Sequence, residues 1–556
     1  MQETILVAVA WPYASGWPHL GHVAGVYLPA DIFARYHRLK GNRVLMVSGS
    51  DEHGTPITVR ADQEGVTPQE IADRYHEVLV SCWERLGISW DLYTRTGTPN
   101  HREVAQEMFA DLFEKGYIES ATTDHLFCET DERFLPDRYV EGICPNCGFD
   151  KARGDQCDNC GRPLDALELA NPVCRLCGAT PVVRASEHFF LRLQDFEEQL
   201  REWVESRTNW RPNVRNFTLG LLDEGLRSRP ITRDISWGVP IPLDGYDEKR
   251  IYVWFEAVCG YLSASIEWAA STGDPEAWRR WWDSDGDSKP FYFLGKDNIP
   301  FHTIIWPAIL MGRGGLRLPY DIPATEYLNF KGEQFSRGRN WAVWLPDYLD
   351  RHRADPLRFV LCSEMPETQD NDFSWETYQQ RINTELVATY GNLVHRVLTF
   401  AAKNFNGAVP EPGELGDLER ELLDQLQPAF EEVGSEIERC RFRAALKAAL
   451  KLCQQANGYL NERAPWNQLK EDRAAAATTI WTAIQVIESL RRLFWPILPF
   501  SSQELGTFYG EAEVPASWAP GQIPAGRSIA GVKPLFARVD DELVEEENSR
   551  IGTVSG

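Results

Sequence analysis

Six cysteines in three Cys-x2-Cys pairs, and one His-x2-His pair, carry the most specific chemistry in this sequence. Cys144 and Cys147, then Cys157 and Cys160, are separated by nine residues, and a glycine follows each pair (Gly148, Gly161). Four thiolates on two tight turns have the spacing of a structural tetrahedral zinc site, and the glycines let backbone amides turn toward the sulfurs. A pair of disulfides is the alternative, disfavoured in a reducing compartment. Cys174 and Cys177 form a third pair, and upstream Cys128 and Asp131 share its spacing with a carboxylate in place of the second thiol. These four make a candidate second zinc site, with an empty remnant knuckle as the other reading. Thiolate-rich, four-coordinate zinc leaves no open position, so both sites are expected to be structural.

In "PHLGH", His19 and His22 stand three apart where a loop enters a helix, so both imidazoles share one face. The free amides and positive dipole end of such a helix suit an anion, and Gly21 permits a close approach. Two histidines at a helix start are a fitting cradle for a phosphoryl transition state. Two helix-surface histidines, or a metal-binding pair, are the other readings.

The elements that position these groups are legible in outline. "TILVAVA" from Thr4 and "NRVLMVSG" from Asn42 read as buried strands, joined by a helix in which Pro29 predicts a kink and Gly41 a stop. Strand, helix, strand predicts a right-handed βαβ unit on a parallel sheet. "RIYVWFEA" from Arg250 and "PFYFLG" from Pro290 read as further strands, so the cysteine block interrupts the sheet as an insertion. Beyond about residue 386 the apolar spacing becomes helical, as at Phe442, Leu446, Ala449, Cys453 and Leu460 and again from Ile480 to Phe494. The acidic, polar tail "VDDELVEEENSRIGTVSG" is expected to fray.

The 556 residues exceed one compact core, and no apolar run reaches the length of a membrane span. With 57 basic and 82 acidic residues the net charge is −25, which argues against nonspecific coating of nucleic acid but not against a local basic surface. No signal peptide is read at the N-terminus, so a cytoplasmic location is expected.

Four stretches in order, "VAVAWPYASGWPHLGH", "SGSDEHGTPI", "IYVWFEAVCGYLSA" and "FLGKDNIPFHTIIWPAILMG", resemble the class I aminoacyl-tRNA synthetases, specifically the methionyl family. The likeness runs to roughly residue 500, and "FLPDRYVEGICPNC" and "GNLVHRVLTF" look like its archaeal-type branch, whose two interleaved knuckles can each hold zinc. The resemblance implies an α/β Rossmann-like nucleotide-binding domain with an inserted zinc-knuckle domain, followed by an all-α anticodon-binding helical bundle. It divides the chain into a first Rossmann half (1–117), the knuckle insertion (118–230), a second Rossmann half (231–325), a KMSKS-type loop and stem-contact region (326–385), the helical domain (386–540) and a flexible acidic tail (541–556).

The resemblance also implies roles. His19 and His22 would stabilise the α-phosphoryl transition state together with Ser336 and Arg337, and Gly21, Lys296, Asp297, Gln334 and Phe335 would complete the ATP site. Ala10, Trp11, Tyr13, Asp51, Arg233, Trp254, Tyr261 and His302 would form the methionine site. In it Asp51 takes the ammonium group and Arg233 also faces the adenylate. Asn392, Arg396, Pro465 and Trp466 would read the anticodon. Zinc, and Mg²⁺ with ATP, are the implied cofactors. tRNA(Met), ATP and L-methionine are the implied partners, without a membrane. A monomer is expected, since no appended C-terminal dimerisation domain is visible.

Four positions depart from the family pattern. In "KGEQFSRGRNW", Gln334 stands where the loop's first lysine is expected and Gly338 where its last serine is. Trp11 replaces an expected leucine and Val258 an expected proline. Loss of one charge-stabilising group costs about 3 kcal/mol, and Arg337, Arg339 or Lys331 are the candidate replacements. Two other readings follow: a diverged paralogue that adenylates another amino acid or charges a non-tRNA acceptor, and a non-catalytic tRNA-binding module.

Overall fold

Four parallel strands form the nucleotide-binding sheet: β1 (Thr4–Val9), β2 (Arg43–Ser50), β3 (Leu92–Arg95) and β4 (Lys289–Phe293), in the order β4-β1-β2-β3. The computed structural model describes residues 2–553 except 155, 156, 158, 161, 163 and 338, so Gly161 and Gly338 lie outside the described residues. β1 is buried along its whole length, as its unbroken apolar run requires of a central parallel strand. The chain leaves β1 toward β2 on one side and reaches β4 on the other. A crevice therefore opens between the carboxyl ends of β1 and β4, the usual ligand position in such a sheet.

The helix between β1 and β2 runs as Leu20–His22, a wider π turn at Val23–Tyr27, and Leu28–Leu39. Pro29 has no N–H to give the Gly25 carbonyl, and the Thr325 hydroxyl donates to that carbonyl instead at 2.7 Å. The expected kink is thus a fastening point between the two halves of the sheet.

One strand expectation fails. Only Arg250–Ile251 is extended, and Val253–Ser271 is a helix buried on most sides. A short run of aromatic and β-branched residues cannot by itself separate a strand from a fully buried helix. Here the small residues Gly260, Ser263, Ala264 and Ser265 let the helix pack closely.

The insertion begins with a long antiparallel pair, Ile118–Cys128 against Val182–Leu191, and carries a small sheet of Val140–Ile143, Ala152–Arg153 and Ala170–Cys174. It docks on the helix Thr55–Glu64 through Asp62, which accepts from Tyr139 Oη and from Arg133, both at 3.0 Å. The C-terminal region is helical, with Phe442–Arg463 and Arg473–Phe494 at its centre. It shares one hydrophobic core with β1 and the helix Leu28–Leu39.

The acidic tail is not frayed over its described part. Asp541–Ser549 is a helix capped by the Asp540 side chain. Its Glu547 is buried against Arg351 and His352, Arg550 pairs with Asp347, and the Gly552 carbonyl accepts from Asn340 at 3.0 Å. Complementary basic groups on the body of the protein override the tail's low hydrophobicity.

Candidate active site and metal centres

His19 caps the first turn at the mouth of the crevice. Its backbone N–H donates to His22 Nδ1 at 3.1 Å, which fixes His22 with its Nε2–H free to donate outward. The two rings lie 3.8 Å apart between centroids. Phe335 stacks on His19 from the opposite side, 4.8 Å away and within 9° of parallel. A methyl group on Gly21 would lie 3.0 Å from the His19 ring and 3.1 Å from Phe335, so only glycine leaves this stack intact. Desolvation, then the neighbouring His22 and Arg337, push His19 well below the usual imidazole range, and desolvation with Arg337 brings His22 down to about 3. Both rings are therefore neutral at pH 7 and offer N–H dipoles rather than full charges.

The loop after the strand Leu328–Phe330 splits its cations. Arg339 turns outward onto Glu333 at 2.7 Å, and Lys331 lies 3.9 Å from Glu376. Gln334 is exposed on the short strand Glu333–Gln334. Ser336 and Trp341 exchange backbone hydrogen bonds at 2.9 Å, closing a turn that sends Arg337 inward. Desolvation, opposed by nearby Tyr27 and reinforced by Arg60, brings Arg337 down to about 10, still charged at neutral pH.

Four of the residues expected to surround the methionine side chain form two hydrogen-bonded pairs. Trp254 Nε1 donates to Tyr13 Oη at 2.8 Å, and Tyr261 Oη meets His302 Nε2 at 2.7 Å. His302 Nδ1 lies 2.9 Å from the Asn298 carbonyl, so Nδ1 carries the proton, and burial holds this imidazole down at about 4. Tyr27 Oη donates to the Ala10 carbonyl at 3.2 Å. Trp11 does not crowd the pocket. It sits in a slot between Gly49 and Gly260, where a methyl group on Gly260 would lie 2.8 Å from the indole and one on Gly49 would collide with it. These glycines, unremarked in the sequence, are what accommodate the larger side chain.

Asp51 lies buried at the end of β2, accepting from His53 N at 3.2 Å. Burial, and then the charge of Glu256, raise its carboxyl well above the ordinary range. Glu256 is itself fully buried between His53 Nδ1 at 3.0 Å and His101 Nε2. Burial would raise Glu256, but these two histidines outweigh it and keep it low. Ionising Asp51 here sets a second negative charge beside Glu256, and a ligand cation favours that ionised form. Sequence reasoning missed Glu256, His53 and His101, and "DEH" gave the only hint.

Arg233 lies over the Tyr252 ring at 3.7 Å. Lys296 is held by Glu326 at 2.9 Å and Asp370 at 2.8 Å, and Asp297 accepts from Tyr327. Lys296 and Asp297 sit in the turn after β4, each engaged by side chains outside that turn.

In the first knuckle Cys144 and Cys160 sulfurs are 4.0 Å apart and those of Cys147 and Cys157 3.6 Å. A zinc–sulfur bond near 2.3 Å in a tetrahedron requires sulfur separations of about 3.8 Å, so the four fit that ion. In the second, Asp131 Oδ2 lies 3.3 Å from Cys128 Sγ and 3.0 Å from Cys174 Sγ, with Cys128 and Cys177 3.5 Å apart. All twelve cysteines are free, and each quartet's ligand atoms lie within 4.8 Å of one another. Gly148 and Gly178 take the left-handed conformation, with φ of +73° and +75°, that turns the chain back at each knuckle.

About the helical region, Arg396 lies over the Trp466 ring at 5.4 Å, and Trp466 remains 41% exposed at the start of the helix Pro465–Glu471. Asn392 opens the helix Asn392–Asn404 beside a cleft of ≈ 310 Å³ lined also by His395, Phe536 and Arg538.

Comparison with known proteins agrees with this geometry. The family of class I tRNA synthetases (M) matches residues 5–398, and the anticodon binding domain of methionyl tRNA ligase matches residues 409–555. The chain is 53% identical to a methionine–tRNA ligase of Thermomicrobium roseum over 99% of both chains. It is 55% identical to one of Dehalococcoides mccartyi strain 195 over 99% of this chain and 100% of the relative. The solved Mycobacterium tuberculosis methionyl-tRNA synthetase in complex with methionyl-adenylate superposes with a TM-score of 0.80 at 27% identity, covering 97% of this chain and 100% of that one. With matches this long on both halves, the chain belongs to the methionyl-tRNA synthetases, the methionine branch of the class I tRNA synthetases.

Proposed function

We propose that this chain activates L-methionine with ATP and transfers it to the 3′-terminal ribose of tRNA(Met). The observation that carries this reading is the placement, across one crevice, of the neutral His19–His22 pair with Arg337 and of the Asp51, Tyr13, Trp254, Tyr261, His302 pocket. A methionine carboxylate oxygen attacks the α-phosphorus in line. The bond to the bridging oxygen of the β-phosphate breaks, and pyrophosphate departs with the charge. The two imidazole N–H groups stabilise the pentavalent oxygens, and Arg337 faces the leaving group. The ribose hydroxyl then attacks the acyl carbon, releasing AMP and a proton. Asp51 holds the ammonium group, and the Tyr261–His302 pair and the Trp254 ring surround the thioether. Mg²⁺ supplies further neutralisation of the phosphates.

Cys144, Cys147, Cys157 and Cys160 would hold one structural zinc, and Cys128, Asp131, Cys174 and Cys177 a second. Asn392, Arg396 and Trp466 would meet the anticodon, the indole stacking on an unpaired base and the two side chains reaching base edges. We assign the protein to the cytoplasm and to a monomer, since one chain supplies both walls of the crevice. The paralogue reading loses one of its three motives, because Gly49 and Gly260 accommodate Trp11. Charging of tRNA(Met) with each standard amino acid tests the proposal. Methionine alone should be transferred, and charging with another amino acid in its place would overturn it.

A further inference from the structure

Arg60 was singled out by nothing in its sequence context, yet it reaches the same point as Arg337. Built on Gly16, in the loop between β1 and His19, a methyl group would lie 3.5 Å from Arg337 Nη1 and 3.6 Å from Arg60 Nη1. Arg60 is carried by the helix Thr55–Glu64, on which the zinc-knuckle insertion docks through Asp62. It is held in place on three sides. Its Nη1 donates to the Ser15 carbonyl at 2.8 Å, its Nε to Glu64 at 2.7 Å, and its guanidinium lies 4.6 Å from the Tyr75 ring centre. Glu64 is shared with Arg74 at 2.7 Å, so it cannot neutralise both arginines. Arg337 forms no ion pair among the described residues; after burial, the phenols Tyr27 and Tyr75 favour its charge, and the guanidiniums Arg60 and Arg138 oppose it. Two guanidiniums directed at one glycine without a carboxylate between them is an arrangement that a polyanion stabilises.

Resting on the methionyl-adenylate reading above, we propose that Arg60 binds the leaving pyrophosphate with Arg337 and supplies the positive charge that the loop lacks at Gln334. Arg339 and Lys331 do not fill this role, since their partners Glu333 and Glu376 hold them on the outer side of the loop.

The test reads pyrophosphate directly. In methionine-dependent pyrophosphate exchange, Arg60→Gln should raise KM for pyrophosphate about tenfold or more, with KM for methionine within twofold and Arg60→Lys intermediate. Equal rises for both substrates, or no change for pyrophosphate, would overturn the proposal. A second measurement uses the unaltered protein. Inorganic pyrophosphate should protect Arg60 and Arg337 from phenylglyoxal, read by mass spectrometry of the digested chain. Protection of Arg337 alone, or protection of Arg60 by tRNA but not by pyrophosphate, would also overturn it. This footprint needs no amino acid, so failure of methionine exchange with intact protection would count against the methionine reading and not against Arg60.

Discussion

Phe335 lies flat on His19, 4.8 Å between ring centroids and within 9° of parallel, so the loop that carries Arg337 is registered on the first histidine of the His19–His22 pair. The contact makes loop position and imidazole orientation a single variable. An offset aromatic stack is worth about 0.5–1.5 kcal/mol. Phe335→Ala should therefore lower the rate of adenylate formation about three- to tenfold, with KM for methionine unchanged, in single-turnover measurements. A change confined to methionine KM would mean that the stack serves the pocket instead.

His37 is buried, and desolvation brings it down to about 3. Below about pH 6.5 the unfolded chain takes up a proton there that the folded chain refuses until far lower pH. Stability is thus fully present above pH 6.5 and falls as pH drops. The loss on moving from pH 6.5 to 5.0 should be about 1.5 kcal/mol from this residue. His37→Gln should flatten the pH dependence of urea unfolding by that amount. By the same reasoning, His19 and His22 should put no inflection near pH 6.5 in the adenylation rate.

The Trp11 slot predicts a coupling. Gly260→Ala should cost about 1–3 kcal/mol of stability and raise KM for methionine by displacing the indole. Adding Trp11→Leu should restore part of both losses, because the clash vanishes with the larger ring. Strictly additive effects in thermal unfolding and exchange kinetics would show that the two residues act independently.

Metal content separates the two knuckles. The purified protein should hold two zinc ions per chain, Asp131→Ala about one, and Cys157→Ser about one, by elemental analysis. One ion in the unaltered protein, unaffected by Asp131→Ala, would reduce the second quartet to a hydrogen-bonded turn.

The sequence displayed most of what local spacing encodes. The His19–His22 pair and both cysteine quartets follow motif spacing, and the structure brings each set together; the approach of Arg396 to Trp466 joins two separate helices and is expected only from the family resemblance. What stayed hidden depends on contacts between distant segments. Glu256 meets His53 and His101 from a helix distant in sequence, Gly260 matters only because Trp11 packs on it, and Arg60 gains meaning from Arg337. The same cause explains the two misreadings. The helix Val253–Ser271 is buried on most sides and shows no amphipathic stripe, and the acidic tail helix is stabilised by arginines at Arg351 and Arg550, one in the body and one in the tail.

The most direct test of the whole account is amino-acid-dependent exchange of labelled pyrophosphate into ATP, run without tRNA against all twenty amino acids. Exchange with methionine, weakened when Arg337 is replaced by glutamine, is the predicted result. Exchange that favours another amino acid, or methionine exchange indifferent to Arg337→Gln, would contradict it.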